Sequence, residues 1–379
     1  MHPVVKGDAY GHGAVPVARA LEEAGADGFC VATMDEALAL REAGIQRPIL
    51  VAYPMPTALV GEARRRAISV TVGDRELLGE LLEAVAADTD APPLVVQIEI
   101  ETGLGRGGFR ADDALDAARR ISGASMLRLA GAWTHLQAPE HESRSRGQVD
   151  EFERVTRELG AHIGPLGSRH VSASGSLVLG EAASLDGVRP GLATYGLVPD
   201  ELLGASLSAE AAALRPVLAL HARPVHVAEL PAGWGISYGP TFTTPRPSRI
   251  ATLPIGYGDG WSRALSNRAE ALVRGRRVPL VGNVAMDAVM ADVTDVPGEP
   301  VTVDDQFVLI GEQGEERITA SDVARARGTN SWEVVTSLAA RLPRVYHAAS
   351  VPRETRTLIA DAFPEPGDDR AGGRRSMRP

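Results

Sequence analysis

The segment Val4-Val5-Lys6-Gly7-Asp8-Ala9-Tyr10-Gly11-His12-Gly13 places a lysine at the end of a short apolar run, before a glycine-rich turn and a helical pattern beginning near Ala14. In a parallel α/β barrel the carboxyl ends of the strands line the working face. An amine that loses part of its water there gives up its proton more readily and can attack an aldehyde. Taken singly, a lysine at a strand end is more often a surface cation, and a glycine turn alone is equally unspecific. Farther along, Gly235-Ile236-Ser237-Tyr238-Gly239 sets a phenol between glycines. A free phenol titrates near about 10, so as an acid or base near neutrality Tyr238 needs positive charge or hydrogen bonds close by. His135 and Arg189 are the candidates for that help. Outside their motifs, Tyr238 reads as an ordinary strand tyrosine and His135 as a hydrogen-bonded barrel histidine.

These residues have to be held by regular elements. From Val4 to about Val198, short apolar runs alternate with helical patterns, the rhythm of a parallel barrel or doubly wound sheet. Strands are expected at Gly28–Ala32, Ile49–Val51, Ile68–Val72, Leu94–Ile100 and Leu127–Trp133. Helices are expected at Val15–Ala24, Met34–Ala43, Arg75–Ala87, Ala111–Ser122 and Gln148–Leu159. After Leu203 the pattern changes to strands without long helices, at Val217–Val227, Arg249–Leu253, Glu270–Val273, Val289–Val293 and Phe307–Ile310. The expected α/β architecture is a TIM (β/α)8-type barrel over residues 1–202, a β-rich C-terminal domain over 203–363, and a disordered Gly-, Pro-, Asp- and Arg-rich tail over 364–379. Few residues precede Lys6, where a strand usually runs to about five or six, so the barrel is expected to be truncated at its N-terminus.

Composition excludes several classes. The 379 residues suit two domains better than one small core. A formal net charge of −10 disfavours nucleic acid as the main partner, because phosphate neutralisation needs a clustered basic surface. The lone Cys30 rules out an intrachain disulfide or a thiolate metal cluster, reads as a small buried hydrophobe, and leaves no metal expected. Met1–Asp8 lacks the apolar core of a secretory signal. The most apolar stretch, Ile49–Val60, is short and broken by Pro54 and Pro56, so no membrane span is expected and a cytoplasmic enzyme is the default.

The ten-residue lysine string resembles the cofactor-lysine signature of the alanine racemases, with Gly7 where that signature usually has alanine. The resemblance continues in the family's order. Glu101-Thr102-Gly103-Leu104-Gly105-Arg106 is similar to its Asp-Thr-Gly-Met-Gly-Arg segment, and Thr134-His135-Leu136 to its Thr-His-Phe. Arg189-Pro190-Gly191-Leu192-Ala193-Thr194-Tyr195-Gly196-Leu197 matches Arg-x-Gly-x-x-x-Tyr-Gly-Leu. The Tyr238 segment and Pro254-Ile255-Gly256-Tyr257-Gly258-Asp259-Gly260 follow, then Gly282-Asn283-Val284-Ala285-Met286-Asp287, similar to a Gly-x-x-x-Met-Asp turn.

The resemblance implies a fold-type III pyridoxal 5'-phosphate enzyme that racemises alanine by two-base exchange of the Cα proton. Lys6 carries the cofactor covalently and serves one face. Tyr238 serves the other, reaching across from a partner subunit, so a C2 homodimer is implied. Tyr10, Ser174 and the amides around Gly191 and Leu192 bind the phosphate, with helix capping an equal role for Ser174. His135 and Arg189 belong to the cofactor's surroundings. Since arginine can only donate, Arg189 facing the pyridine nitrogen keeps it unprotonated, which makes the ring a poorer electron sink and discourages side reactions. Arg106 and the Met286 amide are implied to contact substrate, although Met286 as a side chain reads as packing. Glu99 and Asp287 are implied supports.

The match departs from the family at several points. Glu99 stands where many members have a carbamylated lysine seven residues before the arginine, which suggests a permanent carboxylate for Arg106; a paired barrel carboxylate is the plain alternative. Ala173 replaces a common asparagine, Gln137-Ala138-Pro139-Glu140 is unusual, and Ala340 precedes Arg341-Leu342-Pro343-Arg344 where some relatives have a phosphate-binding tyrosine. Relatives also have a substantial segment before the lysine motif. A broader amino-acid racemase acting on serine or larger substrates is therefore the rival, with a catalytically impaired cofactor-binding protein behind it. A decarboxylase is disfavoured by Arg189 and by Cys30 being the sole cysteine, and a single-barrel cofactor carrier by the second domain.

Overall fold

The computed structural model describes residues 1–358 apart from 89, 182, 184 and 349, so the expected tail at 364–379 lies outside the described residues. Seven parallel strands come first: β1 Phe29–Val31, β2 Ile49–Val51, β3 Ile68–Val72, β4 Leu94–Glu99, β5 Leu127–Trp133, β6 Ser168–Ala173 and β7 Gly187–Arg189, paired in sequence order. The segment His2–Val5 closes the ring. On one side, Val5 N donates to Cys30 O and Cys30 N to Pro3 O, each at 2.9 Å; on the other, His2 N donates to Val188 O at 2.9 Å and Val4 N to Pro190 O at 2.8 Å. The short run before Lys6 is thus bonded to both β1 and β7, and the closed α/β barrel agrees with expectation.

Strand alternation divides the residues between two environments. Val96 and Ile98 of β4 join the core between strands and helices, while Gln97 turns inward to His170. Cys30, Leu50 and Trp133 cluster with Val4 and Ala52 on the inner wall. Burial raises the Cys30 thiol to about 11, in keeping with an inert hydrophobe. The helices start where local chemistry permits. Thr33 caps Met34–Glu42 in a reciprocal box with Glu36, and Asp74 caps Arg75–Ala86.

The second sheet is antiparallel: β8 Leu220–Ala222, β9 His226–Leu230, β10 Ser248–Leu253, β11 Glu270–Val273, β12 Arg276–Val281, β13 Val289–Asp292, β14 Phe307–Gln313 and β15 Glu316–Ile318. Its order is β15-β14-β11-β12-β13-β10-β9, with β8 on β14. The single strand expected over Val217–Val227 is instead two, because Pro224 has no N–H to donate between them. Two short helices, Ala320–Arg327 and Ser331–Thr336, and a hairpin of β16 Arg344–Ala348 with β17 Val351–Arg356 then return the chain to the barrel. Among the described residues, no helix is long and apolar enough to cross a membrane, and no group of side chains is arranged to hold a metal ion.

Candidate active site

The residues after Lys6 form a left-handed turn. Gly7, Asp8 and Ala9 have φ of 60°, 54° and 55°, and Tyr10 follows at 53°. For a residue with a Cβ this conformation costs about 1–2 kcal/mol, so the turn needs outside support. Its own bonds run from Ala9 N to Val5 O at 2.8 Å and from Gly11 N to Gly7 O at 2.9 Å. His12 Nδ1 lies 2.9 Å from both Ala9 O and Tyr10 O, and Glu36 Oε1 accepts from Gly7 N at 2.7 Å. The second domain grips it too. Arg344 Nε donates to Gly11 O at 2.9 Å, Tyr346 donates to His12 O at 3.0 Å, and Arg356 pairs with Asp8 at 2.6 Å. Gly11 has to be glycine here, since a Cβ would sit 2.1 Å from Val335 O.

This turn delivers Lys6 and Tyr10 into a cavity of about 560 Å³ at the carboxyl ends of the strands, which Arg106, His135, Ser174, Arg189, Gly191 and Leu192 also line. At one end, Ser174 Oγ accepts from Gly191 N at 2.8 Å and Ala193 N at 3.1 Å. The Tyr10 hydroxyl lies 2.6 Å from where a Cβ on Gly191 would stand, so the cradle depends on that glycine. Burial pushes Tyr10 up to about 12, and its phenol remains a donor at neutral pH.

Deeper in the barrel, Arg189 is buried with its guanidinium 4.9 Å over the Trp133 ring. Nη2 donates to Thr134 O at 2.7 Å; Nη1 donates to His170 O at 2.9 Å and also to His170 Nδ1. His170 Nε2 in turn donates to Gln97 Oε1 at 2.7 Å. Burial holds His170 well below its usual range, which suits its role as an acceptor. The Arg189 Nε–H has no protein acceptor among the described residues. Burial lowers Arg189 to about 10, which leaves it a cation at neutral pH. His135 is pulled down to about 3, by burial first and then by Arg189, Arg106 and Lys6. It is therefore neutral: of the two residues expected to help a phenol by positive charge or hydrogen bonds, Arg189 carries a charge at neutral pH and His135 is left with hydrogen bonding alone.

Arg106 Nη2 lies 3.4 Å from Glu99 Oε1. Burial raises the Glu99 carboxyl above the ordinary range, and Arg106 only partly offsets it. Gly73 and Gly107 back the carboxylate, each placing a would-be Cβ within 3.6 Å of Oε2. The sequence singles out neither His170 nor Tyr53. The Tyr53 ring centroid stands 5.9 Å from Lys6 Nζ and 5.7 Å from Arg106 Cζ. Its place just past a barrel strand is the signal that could have found it.

Tyr238, Met286 and Asp287 are not in this cavity. Tyr238 is 81 % exposed, on a loop fixed by Asn283 Nδ2 donating to Tyr238 O at 2.9 Å and by Ser237 Oγ donating to Asn283 O at 2.6 Å. Met286 is 53 % exposed, on the neighbouring turn. Arg341 ties that turn down, bonding Asp287 at 2.7 Å while its Nε reaches Asp259 at 2.7 Å. Trp234 and Tyr257 are exposed on the same domain. Lys6 and its neighbours thus gather in the barrel, while Tyr238 and Met286 face solvent.

The model of the alanine racemase N-terminal domain matches residues 1–199 and that of the C-terminal domain matches 217–346. Alanine racemase of Halothermothrix orenii is 39 % identical over 345 residues, covering 90 % of this chain and 89 % of that protein. Alanine racemase 2 of Caldanaerobacter subterraneus subsp. tengcongensis is 40 % identical over 348 residues, covering 90 % and 87 %. The crystal structure of alanine racemase from Bacillus anthracis with bound L-Ala-P superposes with a TM-score of 0.85 at 35 % identity, covering 93 % of this chain and 90 % of that one. Alanine racemase from Streptomyces coelicolor A3(2) gives a TM-score of 0.83 at 34 % identity, with 91 % of each chain covered. With both domain models, full-length relatives and the barrel-plus-sheet architecture in agreement, the chain belongs to the alanine racemase family.

Proposed function

We propose that this chain interconverts L- and D-alanine, with Lys6 exchanging the Cα proton on one face and Tyr238 of a second copy exchanging it on the other. One observation carries the reading. A lysine amine, an arginine Nε–H without a protein acceptor, and a hydroxyl-lined cradle that a single methyl group would fill all open into one cavity. That set fits pyridoxal 5'-phosphate, which supplies an electron-withdrawing ring that acidifies the Cα–H of a bound amino acid.

Lys6 would hold the group at its aldehyde carbon. Tyr10 and Ser174, with the Leu192 amide, would hold the phosphate, while the Gly191 amide, already bonded to Ser174 Oγ, fixes that hydroxyl in the cradle. Arg189, a cation at neutral pH with its Nε–H uncommitted, would donate to the ring nitrogen and leave that nitrogen without a proton. Neutral His135 borders the same space and assists by hydrogen bonding. Arg106 takes the substrate carboxylate, held in place by Glu99, which supplies a fixed negative charge without carbon dioxide. Met286, on the turn that Asp287 and Arg341 secure, offers its amide to that carboxylate in the partner's site.

The exposure of Tyr238 and Met286 on one domain, away from the Lys6 cavity, supports a C2 homodimer in which each copy completes the other's site. We place the division between the barrel and the C-terminal domain near residue 202, and the enzyme in the cytoplasm. The test is to load the purified chain with pyridoxal 5'-phosphate and follow D-alanine formation from L-alanine by chiral chromatography. Racemisation that disappears in Lys6→Ala supports the reading. A loaded, folded protein that racemises no amino acid, or a Lys6→Ala variant that keeps its rate, refutes it.

A further inference from the structure

The Tyr53 ring stands beside two of the basic groups that line the cavity, 5.9 Å from Lys6 Nζ and 5.7 Å from Arg106 Cζ, measured from its centroid. An aromatic face attracts a cation at such distances, and here one ring lies beside both. Its root is firm. Ala52 N donates to Val31 O at 2.9 Å and Tyr53 N to Ala32 O at 3.2 Å, which ties the residue to the end of β1, and Pro54 restricts its backbone further. Its outer parts are uncommitted: the side chain is 42 % exposed and its hydroxyl has no hydrogen-bond partner among the described residues. The other aromatic on that inner wall, Trp133, is already covered by Arg189.

We propose that Tyr53 limits the size of the substrate side chain, admitting a methyl group and resisting anything larger. The inference rests on the reading that Arg106 takes the carboxylate and Lys6 meets Cα. A small amino acid bridging these groups comes close to the Tyr53 ring, because the ring is near both. With its carboxylate, amine and Cα–H committed elsewhere, the remaining substituent shares that wall with the ring. A methyl group packs against an aromatic face, whereas an ethyl or hydroxymethyl group needs room the ring occupies. A cationic side chain is disfavoured in addition, since Arg106 already places positive charge beside the ring.

The experiment compares the cofactor-loaded full chain with Tyr53→Ala and Tyr53→Phe. Dissociation constants for L-alanine, L-serine and L-2-aminobutyrate are taken from titrations of the visible absorbance, and kcat/KM is measured alongside. In Tyr53→Ala the preference for alanine over 2-aminobutyrate should fall by about tenfold or more, the size of effect expected for one methylene in a pocket. The change should lie in binding and KM more than in kcat, and Tyr53→Phe should keep the original preference. Titration reads size discrimination whether or not the bound amino acid turns over, so failure of the racemase reading is distinguishable from failure of this one. An unchanged preference in Tyr53→Ala, an equal change in Tyr53→Phe, or loss of binding of all three amino acids in Tyr53→Ala overturns the proposal.

Discussion

Arg356, in the last strand of the C-terminal hairpin, pairs through Nη1 with Asp8 Oδ2 at 2.6 Å, two residues beyond Lys6. The second domain thereby holds the turn that presents the lysine, together with Arg344 and Tyr346. Each partner is about one-third exposed, at 35 %, so the pair itself contributes at most about 1 kcal/mol to stability. Because the turn is strained, loss of the tie should show first in the site. Arg356→Ala is expected to weaken cofactor binding roughly threefold to tenfold, while the Tm falls by only a few degrees. An unchanged cofactor dissociation constant by absorbance titration would separate the hairpin from the site.

Gly191→Ala tests the cradle. The added Cβ would stand 2.6 Å from the Tyr10 hydroxyl. Overpacking of this kind costs about 1–3 kcal/mol, so cofactor affinity should drop by roughly tenfold to a hundredfold, with Tyr10→Phe far milder. Normal cofactor affinity in Gly191→Ala would place the phosphate elsewhere.

Glu99→Gln removes the charge beside Arg106 with little change in shape. The KM for alanine should rise about tenfold, the effect expected for one charge-assisted contact, with cofactor affinity unaltered. Burial has raised the Glu99 carboxyl, so it protonates at a higher pH than an ordinary glutamate at about 4.3. The wild type should therefore lose alanine affinity in acid above that value, and Glu99→Gln should flatten this limb. A raised carboxylate pKa favours the folded state below the unfolded value and disfavours it as pH climbs through the folded one. Glu99→Gln is thus expected to keep its Tm at pH 8. A wild-type rate that depends on bicarbonate would contradict the assignment of a fixed charge.

His135 supplies a pH signature of opposite form. Its folded pKa is depressed to about 3 by burial and neighbouring cations, while an unfolded histidine titrates near about 6.5. Between these values the unfolded chain binds the extra proton, so stability is fully present above about 6.5 and declines as pH falls toward about 3. The Tm of the wild type should drop more steeply than that of His135→Asn between pH 6.5 and 4. Equal slopes in a differential scanning series would show that His135 does not titrate as its surroundings require.

Much of the barrel is legible in the sequence because buried parallel strands are short apolar runs; Ile49–Val51, Ile68–Val72 and Leu127–Trp133 stand where that pattern puts them. The helix expected from Gln148 begins at Glu142, since its first turns are polar and carry no apolar period. The hairpin Arg344–Arg356 is charged and largely exposed, and gives no strand signal. The left-handed turn is hidden for a different reason. Asp8, Ala9 and Tyr10 do not prefer positive φ, and the conformation is imposed by residues more than 300 positions away. His170 is likewise silent, because it acquires its neighbours through closure of the barrel, and Tyr53 is marked only by its place just past β2. Whether Tyr238 serves its own site or another copy's depends on where its loop faces, which no local pattern encodes.

The proposed sharing of one substrate by Lys6 of one copy and Tyr238 of another is open to a complementation test. Lys6→Ala and Tyr238→Phe chains, each made separately and inactive or nearly so, are to be mixed, dissociated and reassociated. In a mixed dimer one site loses both residues and the other regains both. Alanine racemisation is predicted to recover to about a quarter of the wild-type rate, as random pairing of two chains in a C2 dimer requires. No recovery in a mixture shown by mass to contain mixed dimers would contradict the account.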